Sequence, residues 1–343
     1  MNKLIYLDQN ILSDLRSRKL KETADNYFVL FKNFLLKFNI QVVYSHITLA
    51  EINQISNDEY KKEHLDVLEE LNAKYIEPKN KKISDKKPSQ IWIDYVEYLN
   101  IENDILGFKN LALTLDNLSR KSSGLPNNNS FEKIGESLED SIKNLSNKII
   151  NLLDIDIDEN NLKEEYKGNI SQIKSYMEQM KKDLPILLNK RLESINKLAK
   201  FDSIPLGPKP FREYEPIKSL NISELPSCEV VLAIEKICNK NNEFNWRDSF
   251  EDSIENGISM AYTLMNWAGY YPDDFDKIKK NTDRFRASNN DMQHAILASN
   301  TSFLISNDYA FCMKAIASYE YSGVNTIVCS VETFLEKYYE LEK

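Results

Sequence analysis

Residues 3–8 read KLIYLD, a short apolar run that ends in a carboxylate. Residues 41–45 read QVVYS, a second apolar run that ends in a hydroxyl residue. Both runs predict buried strands. Between them, apolar residues recur at steps of three and four, which predicts an amphipathic helical face; these residues are Ile11, Leu12, Leu15, Tyr27, Leu30, Phe31, Phe34, Leu35 and Phe38. The chain therefore opens as strand, helix and strand, and Ser45 is placed to cap a further helix.

The C-terminal part repeats this alternation. Residues 303–306 (FLIS) and 326–329 (TIVC) predict two more strands, and a helix over residues 311–319 and a turn at Gly323 separate them. Helices are predicted before them, from about Phe250 to Ala268 and from about Asp291 to Ser299. Strands that alternate with helices favour an α/β fold with a parallel, doubly wound sheet flanked by helices.

The long middle of the chain shows helical spacing over residues 91–118, 131–153 and 162–201, followed by a proline-rich connection. If the two ends share one sheet, residues 1–76 and 228–343 form a discontinuous catalytic domain, and residues 77–227 form a mainly α-helical insertion. The net charge of the chain is −9. Residues 77–224 hold 23 Lys and Arg against 24 Asp and Glu, a net charge of −1, which leaves −8 for the ends.

Composition excludes several classes of protein. The 343 residues contain no apolar run of the roughly 18 residues that span a membrane, so we expect a cytoplasmic protein with no membrane contact. The four cysteines have no C-x-x-C spacing, and the three histidines are scattered. A disulfide scaffold and a structural zinc site are therefore disfavoured.

Four carboxylates occupy positions that the predicted fold brings to one edge. Asp8 and Asp308 follow strands, Glu51 lies early in the helix after the second strand, and Asp291 is expected at a helix start. Clustered carboxylates repel one another, and a divalent ion relieves that repulsion. Oxygen ligands suit Mg²⁺ or Mn²⁺, which indicates hydrolysis of nucleic acid. For each acid alone the alternative is a helix cap or turn residue, and this alternative is favoured for Asp291, which follows Asn290.

Four stretches that carry these acids resemble the PIN-domain nucleases in the order of that family: IYLDQNIL (5–12), YSHITLAEI (44–52), NDMQHA (290–295) and FLISND (303–308). The resemblance covers roughly residues 1–76 and 250–343, and the insertion has no counterpart in it. It implies a parallel sheet flanked by helices and a metal-dependent ribonuclease. It also implies that Asp8, Glu51, Asp291 and Asp308 surround the Mg²⁺ or Mn²⁺ ions.

Further residues beside the acids are candidates for supporting roles. Asn10 is placed to bind a metal-bound water or a phosphate, or else to cap the following helix. His294 lies one turn after Asp291, where it orients a carboxylate, donates a proton or is simply a buried structural residue. Ser306 resembles the small hydroxyl residue near the last acid of the family. Arg284 and Arg286 are candidate phosphate ligands, with surface charge as the alternative.

Other functions remain open at this point. Haloacid-dehalogenase-like phosphatases also begin with a strand that ends in Asp, but their motif has a second Asp where this chain has Asn10. A non-catalytic scaffold on the same fold, binding nucleic acid or protein, is a further alternative. We expect an endoribonuclease with an RNA substrate, and a regulatory protein partner for the insertion. The sequence does not distinguish a toxin, an antiphage defence effector and an RNA-processing enzyme, nor does it give an oligomeric state.

Overall fold

The five strands form one parallel sheet. This computed structural model describes residues 3–16, 27–38, 40–104, 108–125, 127–153, 170–195, 207–239, 253–274 and 282–339. The strands are β1 (Leu4–Leu7), β2 (Gln41–Tyr44), β3 (Lys74–Tyr75), β4 (Phe303–Ile305) and β5 (Ile327–Cys329). Their order is β3-β2-β1-β4-β5, and every pairing is parallel. The two ends of the chain thus share a sheet, as the sequence indicates.

Both faces of the sheet are covered, because side chains alternate along each strand. Ile5, Leu7 and Val42 belong to a core on one face, whereas Tyr6 and Leu304 belong to a core on the other. The helices beside the sheet are α1 (Gln9–Leu15), α2 (Tyr27–Lys37), α3 (His46–Gln54), α4 (Asp58–Glu70), α13 (Thr282–Ala298), α14 (Tyr309–Ser322) and α15 (Val331–Tyr339). An α/β sheet with helices on both faces agrees with the predicted fold class.

A further layer of helices packs on α14. It contains α9 (Pro208–Glu213), α10 (Glu215–Lys218), a 3₁₀ turn (Ile222–Glu224), α11 (Ser227–Asn239) and α12 (Ile254–Ala268). Met260 and Leu264 of α12 pack in this layer, whereas Ile258 and Tyr262 pack toward the sheet. Because α12 is apolar on two faces, it carries the Tyr262 side chain into the protein interior.

The chain divides into two compact units, residues 1–95 with 208–343 and residues 96–207. The second unit lies within the predicted insertion. Its described elements are helical: the end of α5 (Pro88–Asp104), then α6 (Phe108–Ser122), α7 (Phe131–Leu153) and α8 (Ile170–Ile195). The predicted helix over residues 162–201 extends beyond the described residues at both of its ends. Among the residues described, no helix is both long and apolar enough to cross a membrane.

One prediction about the elements was wrong. Asp291 does not begin a helix; it lies inside α13, which begins at Thr282. The run of Ser288, Asn289 and Asn290 has weak helix propensity and suggested a start, but tertiary hydrogen bonds hold two of these side chains inside the helix. The helical spacing predicted over residues 91–118 agrees with α5 and α6, and residues 105–107 between them lie outside the described part of the chain.

Candidate active site

The strand order places a crevice beside Asp8. The chain runs from β1 outward to β3 on one side, and β4 and β5 lie on the other side, so the order reverses between β1 and β4. In open α/β sheets, ligands bind at such a reversal, outside the carboxyl ends of the strands. Asp8 follows β1, and Ser306 follows β4. Asp8 and Ser306 therefore flank the reversal, and both were predicted from the sequence to be site residues.

Asp8 is held rigidly. It caps α1, and its Oδ1 accepts a hydrogen bond of 2.7 Å from the backbone of Gln9. Its Oδ2 accepts hydrogen bonds from the Ser306 hydroxyl at 2.8 Å and from the Asn10 amide at 3.2 Å. Burial raises the pKa of Asp8, with Glu51 adding to the shift, whereas His294, Ser306 and Gln9 oppose it. The carboxyl group is thus oriented by three donors, and its ionised form is destabilised by its surroundings.

Ser306 connects Asp8 to Asp308. Its fully buried Oγ donates to Asp8 and accepts a hydrogen bond of 3.1 Å from the backbone N–H of Asp308. The Asp308 side chain is exposed and caps α14 by accepting from Phe311 N at 2.9 Å. Asp308 is therefore a helix cap, which was the alternative role given for each acid. It is also linked to Asp8 through Ser306.

Glu51 is bound by α13. Its Oε1 accepts a hydrogen bond of 3.0 Å from Asn290, and its Oε2 lies 2.9 Å from His294 Nε2. The other ring nitrogen of His294 lies 2.7 Å from the Tyr6 hydroxyl, which in turn is 2.7 Å from Ser45 Oγ. Burial lowers the pKa of His294, but Tyr6, Glu51 and Asp8 outweigh burial and hold this pKa well above its usual value. A protonated His294 that donates to Glu51 follows from these contacts.

Asp291 lies close enough to Asp8 for the charge of Asp8 to act on it. Burial raises its pKa well above the usual value, and repulsion from Asp8 and from Asp273 adds to this shift. His294 and Lys314 act on Asp291 in the opposite direction. Asp8 and Asp291 are thus two carboxyls from different elements that destabilise each other's charged form.

Two further residues of this site were missed by the sequence analysis. The side chain of Lys314 is 1% exposed, and its Nζ lies 2.7 Å from Oδ1 of Asp273. Oδ2 of Asp273 also accepts from Asn266 at 2.7 Å and from the Ser288 hydroxyl. Burial alone raises the pKa of Asp273, but Lys314 and the hydrogen bonds outweigh it and lower this pKa. The sequence signal for Lys314 was a single lysine in the apolar run of α14; Asp273 had none.

Tyr262 places a hydroxyl group among these acids. Its side chain is 2% exposed, and Lys314 Nζ lies 4.7 Å from the centre of its ring. Burial raises the pKa of Tyr262 well above its usual value, with further contributions from Asp291, Asp273, Asp308 and Asp8. The hydroxyl is buried and has no hydrogen-bond partner among the described residues. Buried polar groups in proteins are nearly always satisfied, so this oxygen indicates space for a ligand or an ordered water.

The fit of these residues to a divalent ion rests on Asp8, Asp291 and Tyr262. Among the side chains that the structure describes, no group of three or more His, Cys, Asp or Glu is arranged to hold a metal ion. Mg²⁺, however, is commonly bound through one or two carboxylates, with waters and substrate oxygens completing its shell. The buried Asp8 and the half-buried Asp291 repel each other near an unsatisfied hydroxyl, and this is the chemistry that such an ion requires.

The predicted phosphate ligands are less well placed by the structure. The Arg286 side chain is exposed on α13, and the side chain of Arg284 lies outside the described residues. The basic run over residues 79–87 belongs to the unit that contains the sheet, where Lys86 pairs with Asp94 at 2.7 Å and Lys81 lies 3.7 Å from Glu255. These pairs reduce the charge that the run presents.

Comparisons with protein-family models, with curated proteins and with solved structures find no match to this chain. The resemblance to PIN-domain nucleases stays a prediction that rests on the four quoted stretches. The site itself stands on the distances and burial given above.

Proposed function

We propose that this chain is a PIN-like, metal-dependent ribonuclease that hydrolyses RNA phosphodiester bonds. The observation that carries the proposal is the pair formed by Asp8, buried at the strand-order reversal, and the half-buried Asp291 of α13, whose charges repel each other. Such a pair is electrostatically costly unless it binds protons or a cation. A nucleic acid backbone brings its own anionic oxygens, which a shared cation accommodates.

Each acid has a distinct role in this proposal. Asp8 and Asp291 hold Mg²⁺ or Mn²⁺, and the exposed Asp308 lies at the rim, where it reaches the same ion or its waters. Ser306 and Asn10 fix the orientation of the Asp8 carboxylate through their hydrogen bonds. Glu51, held by His294 and Asn290, contributes negative charge beside Asp8. When bound, the divalent ion polarises the phosphate and lowers the pKa of an attacking water.

The contacts of Asn10 weigh against the phosphatase alternative. That chemistry requires a proton donor two residues after the nucleophilic Asp. Here the Asn10 amide donates a hydrogen bond to Asp8 Oδ2, and an amide has no acidic proton to pass to a leaving group. We therefore place the phosphatase below the nuclease.

The test is incubation of the purified full chain with total RNA and with single-stranded DNA, in Mn²⁺, in Mg²⁺ and in excess chelator. The proposal expects RNA cleavage that depends on the metal and is lost in Asp8→Asn. Hydrolysis by water yields 5′-phosphate or 3′-phosphate ends, whereas attack by the 2′-hydroxyl yields a 2′,3′-cyclic phosphate. Cleavage that survives in chelator, or that is unaffected by Asp8→Asn, would contradict the proposal.

A further inference from the structure

The carboxylates of this pocket fall into two groups. Glu51 and Asp273 each contact a cationic side chain of the protein, namely His294 and Lys314. Asp8 and Asp291 have no such ion pair among the described residues; Asp8 accepts only from neutral donors. We propose that Lys314 takes the place of a second metal ion, so that the pocket binds one divalent cation, held by Asp8 and Asp291. This inference rests on the proposed function.

Lys314 is a fixed cation inside the pocket. Its side chain is almost fully buried, it pairs with Asp273 at 2.7 Å, and its Nζ lies above the Tyr262 ring. Its charge also acts favourably on Asp291. Two-ion nuclease sites hold their ions roughly 3.5–4 Å apart between shared carboxylates. An ammonium that pairs with Asp273 and also acts on Asp291 repels a second dication from these two acids.

The carboxylate of Glu51 is also engaged by the protein. Both of its oxygens accept hydrogen bonds from α13, one from Asn290 and one from His294. A second ion that used Glu51 would displace the His294 contact, which is itself supported by Tyr6. The charges of Glu51 and Asp273 are thus balanced by side chains of the protein. Asp8 and Asp291 carry the two negative charges that one dication balances.

The Tyr262 hydroxyl is the independent sign of a ligand at this place. It is buried, it is unpartnered within the described part of the chain, and Asp291 is the acid that acts on it most strongly. A single ion or one of its waters, held by Asp8 and Asp291, supplies the missing partner. Two carboxylates suffice for Mg²⁺, because waters commonly complete its coordination shell.

The experiment counts bound Mn²⁺ per chain by electron paramagnetic resonance, with chelator-treated full-length protein at pH 7. We expect one Asp8-dependent ion in the wild type and none in Asp8→Asn. Lys314→Met frees Asp273, and we expect it to bind a second ion. The matched control is Lys314→Met combined with Asp273→Asn, which removes the whole pair and is expected to return the count to one. A purely structural role for Lys314 does not change the count.

The outcomes separate this inference from the proposed function. Two Asp8-dependent ions in the wild type, together with RNA cleavage, overturn the inference and leave the ribonuclease standing. A count of one in a folded Lys314→Met also overturns it, and if that variant does not fold, the wild-type count alone decides. One Asp8-dependent ion in a protein that cleaves no RNA supports the cation count and removes the ribonuclease. Absence of any Asp8-dependent ion overturns both.

Discussion

Tyr6 and His294 lie 288 residues apart in the sequence, and their side chains are joined by a hydrogen bond of 2.7 Å. The bond links the central strand β1 to α13, and His294 carries it on to Glu51. Tyr6 has no contact with Glu51 in this chain of bonds; it acts through His294. Tyr6 is therefore a positioning residue for one of the four acids.

Tyr6→Phe tests this link. The substitution leaves a nitrogen of His294 without a partner, and Ser45 Oγ keeps only the hydrogen bond from Ile47 N. We therefore expect it to lower the free energy of unfolding by about 1–3 kcal/mol. The measurement is urea unfolding of the metal-free protein. Tyr262→Phe is the matched control, because it removes a buried hydroxyl that has no partner among the described residues. We expect no loss of stability from it, and an equal loss in both variants would contradict the assigned network.

Asp8→Asn should affect catalysis and stability in opposite directions. We expect RNA cleavage to fall by at least roughly 10²-fold, the scale of losing one electrostatic contributor to the transition state. Without metal, the variant should be at least as stable as the wild type at pH 7, because it removes a buried charge that repels Asp291. The rise in melting temperature on addition of Mn²⁺ should disappear.

The control for Asp8→Asn is Asp66→Asn, which changes an exposed acid on α4. It should keep cleavage and the Mn²⁺-dependent rise in melting temperature. If Asp8→Asn keeps that rise as well, the ion binds elsewhere.

Lys314→Met should destabilise the protein strongly. It leaves the largely buried carboxylate of Asp273 without its cation, and breaking one side of a buried ion pair costs roughly 3–5 kcal/mol. Removing both partners, as in Lys314→Met with Asp273→Asn, should recover much of that loss. Calorimetry of the two variants gives the comparison, and a double variant no better than the single one would show that the pair is not the cause.

The pH dependence of stability should identify His294. Its pKa is raised in the folded state, so its contribution is fully present below the ordinary value of 6.5 and is lost as the pH rises through the folded-state pKa. In chelator, the free energy of unfolding of the wild type should therefore fall as the pH rises above 6.5. This part of the fall should be absent in His294→Gln. Burial lowers the pKa values of His46 and His64. These two residues therefore change the stability only below pH 6.5, where their loss of protons makes the protein more stable as the pH rises.

The exposed lysines of the basic run provide a test of RNA binding. Lys82 and Lys87 are exposed, whereas Lys81 and Lys86 are engaged with acids. If Lys82 and Lys87 contact phosphate, replacing both with Ser should reduce the log–log salt slope of single-stranded RNA binding by about 0.7 for each contact. Replacing Lys81 and Lys86 should change the slope less. If the slope is unchanged when Lys82 and Lys87 are replaced, the basic run does not contact RNA and is only a solvent-exposed surface.

Much of the fold followed from local patterns in the sequence. The apolar runs that end at Leu7, Tyr44 and Ile305 became strands, because fully buried parallel strands need continuous apolar residues. Strand β3 has two residues and no alternation that a pattern could show, so it was not predicted. It is recognised only by its parallel pairing with β2, which is a tertiary relationship.

The site was predicted in part, for a physical reason. Asp8 and Ser306 were predictable because strand ends in one parallel sheet meet at one edge. The partner of His294 was not predictable in this way. The spacing of one helical turn suggested Asp291, but His294 Nε2 contacts Glu51, which belongs to α3. The pair of Asp273 and Lys314 is 41 residues apart, and nothing local in the sequence joins them.

The pairing of β1 with β4 also fixes the order in which the sheet can be assembled during synthesis. Ile5 has Phe303 as its partner in the register of these strands, so the central strand lacks one neighbour until residue 303 has been synthesised. At roughly 5–20 residues per second, synthesis runs for tens of seconds before β4 exists. Asp8 meets neither Ser306 nor Asp291 during that interval. A nascent chain therefore carries an unassembled site until β4 has been synthesised and has paired with β1.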